Sequence, residues 1–168
     1  MAEAVDDDDF APWPSRLYRD LVAELVRFGR RKTGLHPEAM LESSAFAILL
    51  CLSDGRARTL RELSGELDLE QSTVNRQVNA AIKLGFLERF HVAGSHSGLI
   101  RPTAAGTQAF VHDGELRVVR LEAVFADLAP GDPEILLTQL LAFNDAYERT
   151  LHREGRRQSV DDRDHRQA

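Results

Sequence analysis

Residues 59–90 read TLRELSGELDLEQSTVNRQVNAAIKLGFLERF, and the order of signals in this stretch decides the fold. Thr59-Leu60-Arg61-Glu62 is a capping box, in which the threonine hydroxyl and the glutamate carboxylate each satisfy a backbone donor freed at a helix start. The helix it opens keeps Leu60, Leu63 and Leu67 on one apolar edge, with Ser64 small where a second helix must approach closely. Asp68 and Leu69 make the turn. A second helix from about Glu70 to Leu84 buries Val74, Val78, Ala81 and Ile82, and Gly85 stops it. Its opposite side carries Ser72, Asn75, Arg76, Asn79 and Lys83, which fall on one face at about 100° per residue.

Beyond Gly85, the imperfect alternation from Phe86 to Val92 predicts a short strand, Gly94 to Gly98 a flexible tip, and Leu99-Ile100-Arg101 a returning strand. Two short helices, a tight turn and a hairpin are the parts of a winged helix-turn-helix. Upstream, Ser43 to Ser53 is apolar nearly all round and is expected to be deeply buried. Before it, Ser15 caps a helix carrying Leu17, Tyr18, Leu21, Val22, Leu25, Val26 and Phe28 and ending near Gly34. Downstream, Pro102-Thr103 starts a helix expected to reach Leu128. Ala129-Pro130-Gly131-Asp132-Pro133 breaks it, and a last helix carries apolar positions from Ile135 to Leu151.

Composition bounds what such a chain does. Its 168 residues are 43% hydrophobic and 29% charged, enough for one globular unit with arms and unlike a chain disordered throughout. The longest apolar run, Ala45 to Leu52, falls far short of the roughly 18 residues of a membrane span. The N-terminus is acidic (Asp6 to Asp9) where a secretory signal is basic and then apolar, and the lone Cys51 excludes an internal disulfide. A cytoplasmic protein with no membrane contact is expected. Net charge is −6, yet residues 55–103 hold seven bases against five acids, so positive charge gathers where the recognition signals lie.

The polar face of the second short helix suits duplex DNA. Arginine pairs bidentately with guanine O6 and N7, and asparagine with adenine N6 and N7, each at ~1–3 kcal/mol of discrimination. Gln71, Ser72, Asn75 and Arg76, near the helix start, are the candidate base readers. Ser72 and Thr73 can hold a phosphate at the helix N-terminus. Thr59 and Asn79 complete the candidate contacts on the two helices.

The stretch Leu63 to Arg76, followed by Leu84-Gly85-Phe86-Leu87-Glu88-Arg89, closely resembles the MarR family of bacterial transcriptional regulators. Leu41 to Leu52 resembles the helix before that motif, and Thr103-Ala104-Ala105-Gly106 the Thr-Pro-Ala-Gly that follows the wing; the resemblance spans roughly Ser15 to Leu151. It implies a mainly α fold with a small β-hairpin wing. The implied division is a DNA-binding lobe at 41–103 and a helical dimerisation body at 15–34 and 104–152; composition alone, acidic at the start and charged with almost nothing apolar at the end, adds a disordered acidic arm at 1–14 and a disordered tail at 153–168. The resemblance further implies an obligate homodimer on a pseudo-palindromic operator. A small aromatic or lipophilic effector would lie between body and lobe, here against Tyr18, Leu21, Phe46, Leu50 and Phe110.

Two positions depart from the family pattern. The wing tip, Ala93 to Gly98, lacks the arginine that usually enters the minor groove; His96 is its only ionisable group and would make affinity partly pH-dependent. Arg89 and Arg101 flank the hairpin within reach of phosphates. Asp68 replaces the usual glycine of the turn, where aspartate tolerates positive φ better than most residues. His91, His96, and His112 with Glu115 read as surface residues rather than metal ligands, and Cys51 as an inert thiol. No phosphate loop, catalytic carboxylate pair or nucleophile–base spacing stands out, so neither an enzyme nor a cofactor is expected. The arginine-free tip and acidic balance motivate one alternative, a winged-helix module that binds another protein and DNA weakly or not at all.

Overall fold

The computed structural model describes residues 15–30, 36–91 and 98–165, of which 155–165 are described as backbone. Two compact units divide the chain, residues 1–113 and 114–168. The first holds α1 (Arg16–Arg30), α2 (Ser43–Cys51), β1 (Arg58–Thr59), α3 (Leu60–Leu67), α4 (Gln71–Lys83), β2 (Leu87–Phe90), β3 (Leu99–Pro102) and the first half of α5 (Ala104–Phe125). The remainder of α5 and all of α6 (Asp132–His165) form the second. The fold is mainly helical with one small antiparallel sheet.

One apolar cluster organises the first unit. Ile48, Leu49 and Leu52 meet Leu63 of α3, Val74, Val78 and Ala81 of α4, Leu87 and Ile100 of the sheet and Ala109 of α5. Each large side chain so buried contributes roughly 1.5–3 kcal/mol. The expectation that α2 is buried all round needs correcting: Leu50 is 56% exposed and Cys51 only half-buried. α2 packs on α3 and α4, and the side carrying Leu50 stays uncovered among the described residues. Likewise, α1 buries none of its side chains, although Ser15 accepts the Tyr18 amide at its start.

The capping box forms as the spacing predicts. Thr59 Oγ1 accepts the Glu62 amide at 3.2 Å, while Glu62 Oε2 accepts the Thr59 amide at 2.7 Å. Asp68 closes α3 in the left-handed region (φ 50°, ψ 47°), and Gly85 ends α4 at φ 81°. The expected two-stranded hairpin is a three-stranded sheet in the order β1-β3-β2, because Arg58 and Thr59 pair with Ile100 and Leu99. Two residues are too short to show the alternation that marks a strand.

Polar contacts fix the joints between these elements. Thr103 Oγ1 accepts the Gly106 amide to cap α5 and donates to the Gly85 carbonyl at 2.6 Å. Gly106 passes so close to β2 that an added Cβ would lie 1.9 Å from the Phe86 carbonyl oxygen. Asp113 is fully buried, and its two oxygens accept the amides of Met40 and Leu41, each at 2.9 Å, just ahead of α2. Beside it, His112 Nε2 donates to the Glu38 carbonyl at 3.2 Å. Gly106, Ala109 and Asp113 are all buried, so the first half of α5 is bound into this unit.

α6 runs as helix through His165, so most of the expected disordered tail is helical. No proline follows Pro133, and charges of both signs at helical spacing are compatible with a solvated helix. The acidic arm at 1–14, residues 31–35, the wing tip 92–97 and the last three residues lie outside the described residues. Among the described residues, no helix is long and apolar enough to cross a membrane, and no group of three His, Cys, Asp or Glu side chains could hold a metal ion.

Candidate nucleic-acid interface

α4 carries the candidate site because its two sides differ in kind. Val74, Val78 and Ala81 face the core, whereas Gln71, Ser72, Arg76, Asn79 and Lys83 are exposed and Thr73 and Asn75 half-buried. Arg76 forms no hydrogen bond or ion pair among the described residues, so its guanidinium is available to an external acceptor. Glu70 precedes the helix without capping it through its side chain. An anion approaching there therefore meets no side-chain acceptor already bonded to the first-turn amides.

Sheet register separates the two hairpin arginines. Arg89 pairs with Ile100 and Glu88 with Arg101, so alternation turns Leu87 and Arg89 to one face and Glu88 and Phe90 to the other. Arg89 consequently reaches α4, donating through Nη2 to Asn75 Oδ1 at 3.3 Å and Asn79 Oδ1 at 3.5 Å. Arg101 instead donates to Glu88 Oε1 at 2.6 Å and lies 4.6 Å from the centre of the Phe90 ring. Thus Asn75, Asn79 and Arg89 share one surface, and Arg101 braces the other. Thr59 spends its hydroxyl on the capping box, donating to Glu62 Oε2 at 2.8 Å. The Thr59 amide, helped by that hydroxyl, holds the Glu62 carboxyl below its usual range. His96 lies outside the described residues.

Part of the local basic charge is consumed internally. Arg58 is buried, donating to Glu66 Oε1 at 2.6 Å and to both Asp54 oxygens at 2.8 and 2.9 Å. Hydrogen bonds from the Arg58 side chain, then the Arg56 amide, hold the Asp54 carboxyl well below the ordinary range. Arg58 is one of the seven bases in residues 55–103, and its pairing with Asp54 and Glu66 had no local signature. The thiol of Cys51 is pushed up by burial and by nearby Glu66, which disfavours thiolate.

The candidate effector residues are partly assembled. Phe46 and Phe110 meet with ring centres 4.9 Å apart at 36°, and Leu50 stands one turn beyond Phe46 on α2. Tyr18 and Leu21, one turn apart on α1, are 58% and 50% exposed.

Helix-turn-helix, three-stranded wing and flanking long helices define a winged-helix protein. Comparison with solved structures narrows the class. A MarR protein of Peptoclostridium difficile matches with a TM-score of 0.65 at 15% identity, over 88% of this chain and 95% of its own. The PcaV transcriptional regulator of Streptomyces coelicolor, in complex with its natural ligand, matches at 0.55 and 24% identity over 88% and 99%. FabT of Streptococcus pneumoniae, in complex with DNA, matches at 0.57 and 11% identity over 79% and 93%. No protein-family model and no curated protein matches the sequence. The chain has the MarR-like winged-helix fold.

Proposed function

We propose that this chain is a MarR-like transcriptional regulator, a binding protein rather than an enzyme, which places α4 in the major groove of duplex DNA. The observation that carries the reading is the outward face of α4, where Ser72, Arg76 and Asn79 are exposed around a buried Val74–Val78 backing. FabT, which shares the fold, is seen with DNA. Gln71, Ser72, Asn75 and Arg76 read bases, Thr73 and Asn79 support them, and Arg89 approaches from the wing. Thr59, Arg101 and the wing's His96 complete the assigned contacts. The regulator acts in the bacterial cytoplasm, where such DNA is found.

The working form is a homodimer. Within the single chain, Leu17 and Leu25 of α1, Leu121 and Val124 of α5, and Ile135 and Leu141 of α6 are each 50% or more exposed. Apolar surface on this scale calls for a protein partner, and a second copy supplies the two-fold symmetry that a pseudo-palindromic operator requires. PcaV, of the same fold, is seen with a natural ligand. By analogy, a small aromatic or lipophilic effector acts here through the Phe46–Phe110 pair, with Leu50, Tyr18 and Leu21 contributing. Such a ligand changes DNA affinity only by binding one arrangement of the recognition helices better than another.

Selection of bound duplexes from a random pool tests the proposal. The expected product is an inverted repeat with half-sites about one helical turn apart, roughly 10–10.5 base pairs centre to centre. Absence of enrichment, with the chain instead retaining another protein, would favour the interaction-module alternative.

A further inference from the structure

The hydrogen bonds joining the wing to α4 carry information about which base the surface prefers. Arg89 Nη2 donates to the Oδ1 atoms of Asn75 and Asn79, and Asn79 Nδ2 donates to Asn75 Oδ1 at 3.4 Å. A guanidinium has donors only, so both asparagines must turn their carbonyl oxygens toward it. Asn75 Oδ1 then accepts from two groups, which fills its two lone pairs. The part of Asn75 left for an external partner is its NH2, a donor. An asparagine held this way has lost the acceptor that bidentate recognition of adenine N6 requires.

The arrangement is built into the fold. Register with Ile100 turns Arg89 toward α4, and nearby Gly98 leaves space for its stem: a Cβ there would lie 3.0 Å from Arg89 Cδ and 3.2 Å from Cγ. Nε and Nη1 of Arg89 carry further donors not spent on the two asparagines. The surface therefore offers donors across the Asn75–Arg89 edge. In the major groove, guanine alone presents two acceptors, O6 and N7, with no donor on its own edge.

We propose that Arg89 is a specificity-determining residue: it fixes Asn75 and Asn79 in a donor-presenting array and, with them, selects guanine in each half-site. This rests on the DNA-binding reading above and refines the sequence expectation that Asn75 would favour adenine.

The test compares sequences selected from a random duplex pool by the full chain and by Arg89→Met, which keeps the stem and removes the donors. Arg89 is exposed, so thermal unfolding of the variant should match the parent. The parent should select guanine at a fixed position of each half-site. Arg89→Met should lose that preference, with a fall of about 5- to 150-fold on the selected operator, the range expected of one good bidentate contact. Affinity for random duplex should fall far less. A uniform loss on all sequences, with the salt slope reduced by about one, would mean a phosphate contact and overturn the proposal. An unchanged preference, or adenine at the affected position in the parent, would also overturn it. Failure of the parent to bind any duplex at low salt would instead remove the DNA-binding reading, and this proposal with it.

Discussion

Replacing Asp113 by asparagine keeps the side chain's size and removes one acceptor from a buried joint. Its two oxygens each accept an amide at 2.9 Å, from Met40 and Leu41, both well-formed bonds. A hydrogen bond to a charged group contributes roughly 1.5–3 kcal/mol, and an orphaned buried donor costs about 1–3 kcal/mol. Leu41 is buried and Met40 is exposed, so the asparagine oxygen should keep the Leu41 amide and present its NH2 to that of Met40, where water offers some relief. The expected loss is about 2–3 kcal/mol for Asp113→Asn, and about 3–5 kcal/mol for Asp113→Ala, which orphans both amides and opens a cavity. Against a typical total of roughly 5–15 kcal/mol this is severe. Urea unfolding should show a lower midpoint at unchanged slope, by roughly 1–2 M for Asp113→Asn. A variant within about 0.5 kcal/mol of the parent would refute the claim that this carboxylate pins the entry to α2.

Gly106→Ala should destabilise by about 1–3 kcal/mol, since its Cβ would enter the Phe86 carbonyl, whereas Gly65→Ala, with open space at a helical position, should stabilise by about 0.5–1 kcal/mol; equal thermal shifts in the two would contradict the close approach of α5 to β2. The Asp54 and Glu62 carboxyls are held below their usual range, so their contribution is complete above the ordinary carboxylate pKa near ~4 and is lost as pH falls below it. Asp54→Asn and Glu62→Gln should therefore melt below the parent at neutral pH, with the gap narrowing as pH falls below ~4 and, for Asp54, closing only in strong acid; a gap independent of pH would refute the pairing. Duplex binding should be equally insensitive to peroxide in the parent and in Cys51→Ser, because burial and Glu66 disfavour the thiolate; a response abolished by the substitution would make Cys51 a redox switch.

Local signals were legible in proportion to how much of their chemistry lies within one turn of chain. The Thr59–Glu62 box, the left-handed Asp68, the stop at Gly85 and the inward row of Val74, Val78 and Ala81 all depend on neighbours a few residues away. What escaped depends on distant partners. Arg58 counts as one base among seven in the sequence, and only the fold brings Asp54 and Glu66 onto it; β1 exists only because β3 pairs with it. Asp113 sits in a helix among polar residues, where a carboxylate ordinarily reads as solvated; its amide partners lie more than 70 residues away. For the candidate interface, helical periodicity identified the face of α4, but strand register assigned Arg89 to it and Arg101 away from it. Imperfect alternation between Phe86 and Val92 could not supply that register.

Duplex affinity measured across a range of salt concentrations, for the parent and for Arg76→Glu on the exposed side of α4, bears most directly on the claim that this face meets DNA. The account predicts a linear fall of log K with log salt for the parent, steep enough to report several phosphate contacts, and near-complete loss of binding in the variant with its thermal unfolding unchanged. A parent that ignores duplex at low salt, or a charge-reversed variant that binds as well as the parent, would contradict it.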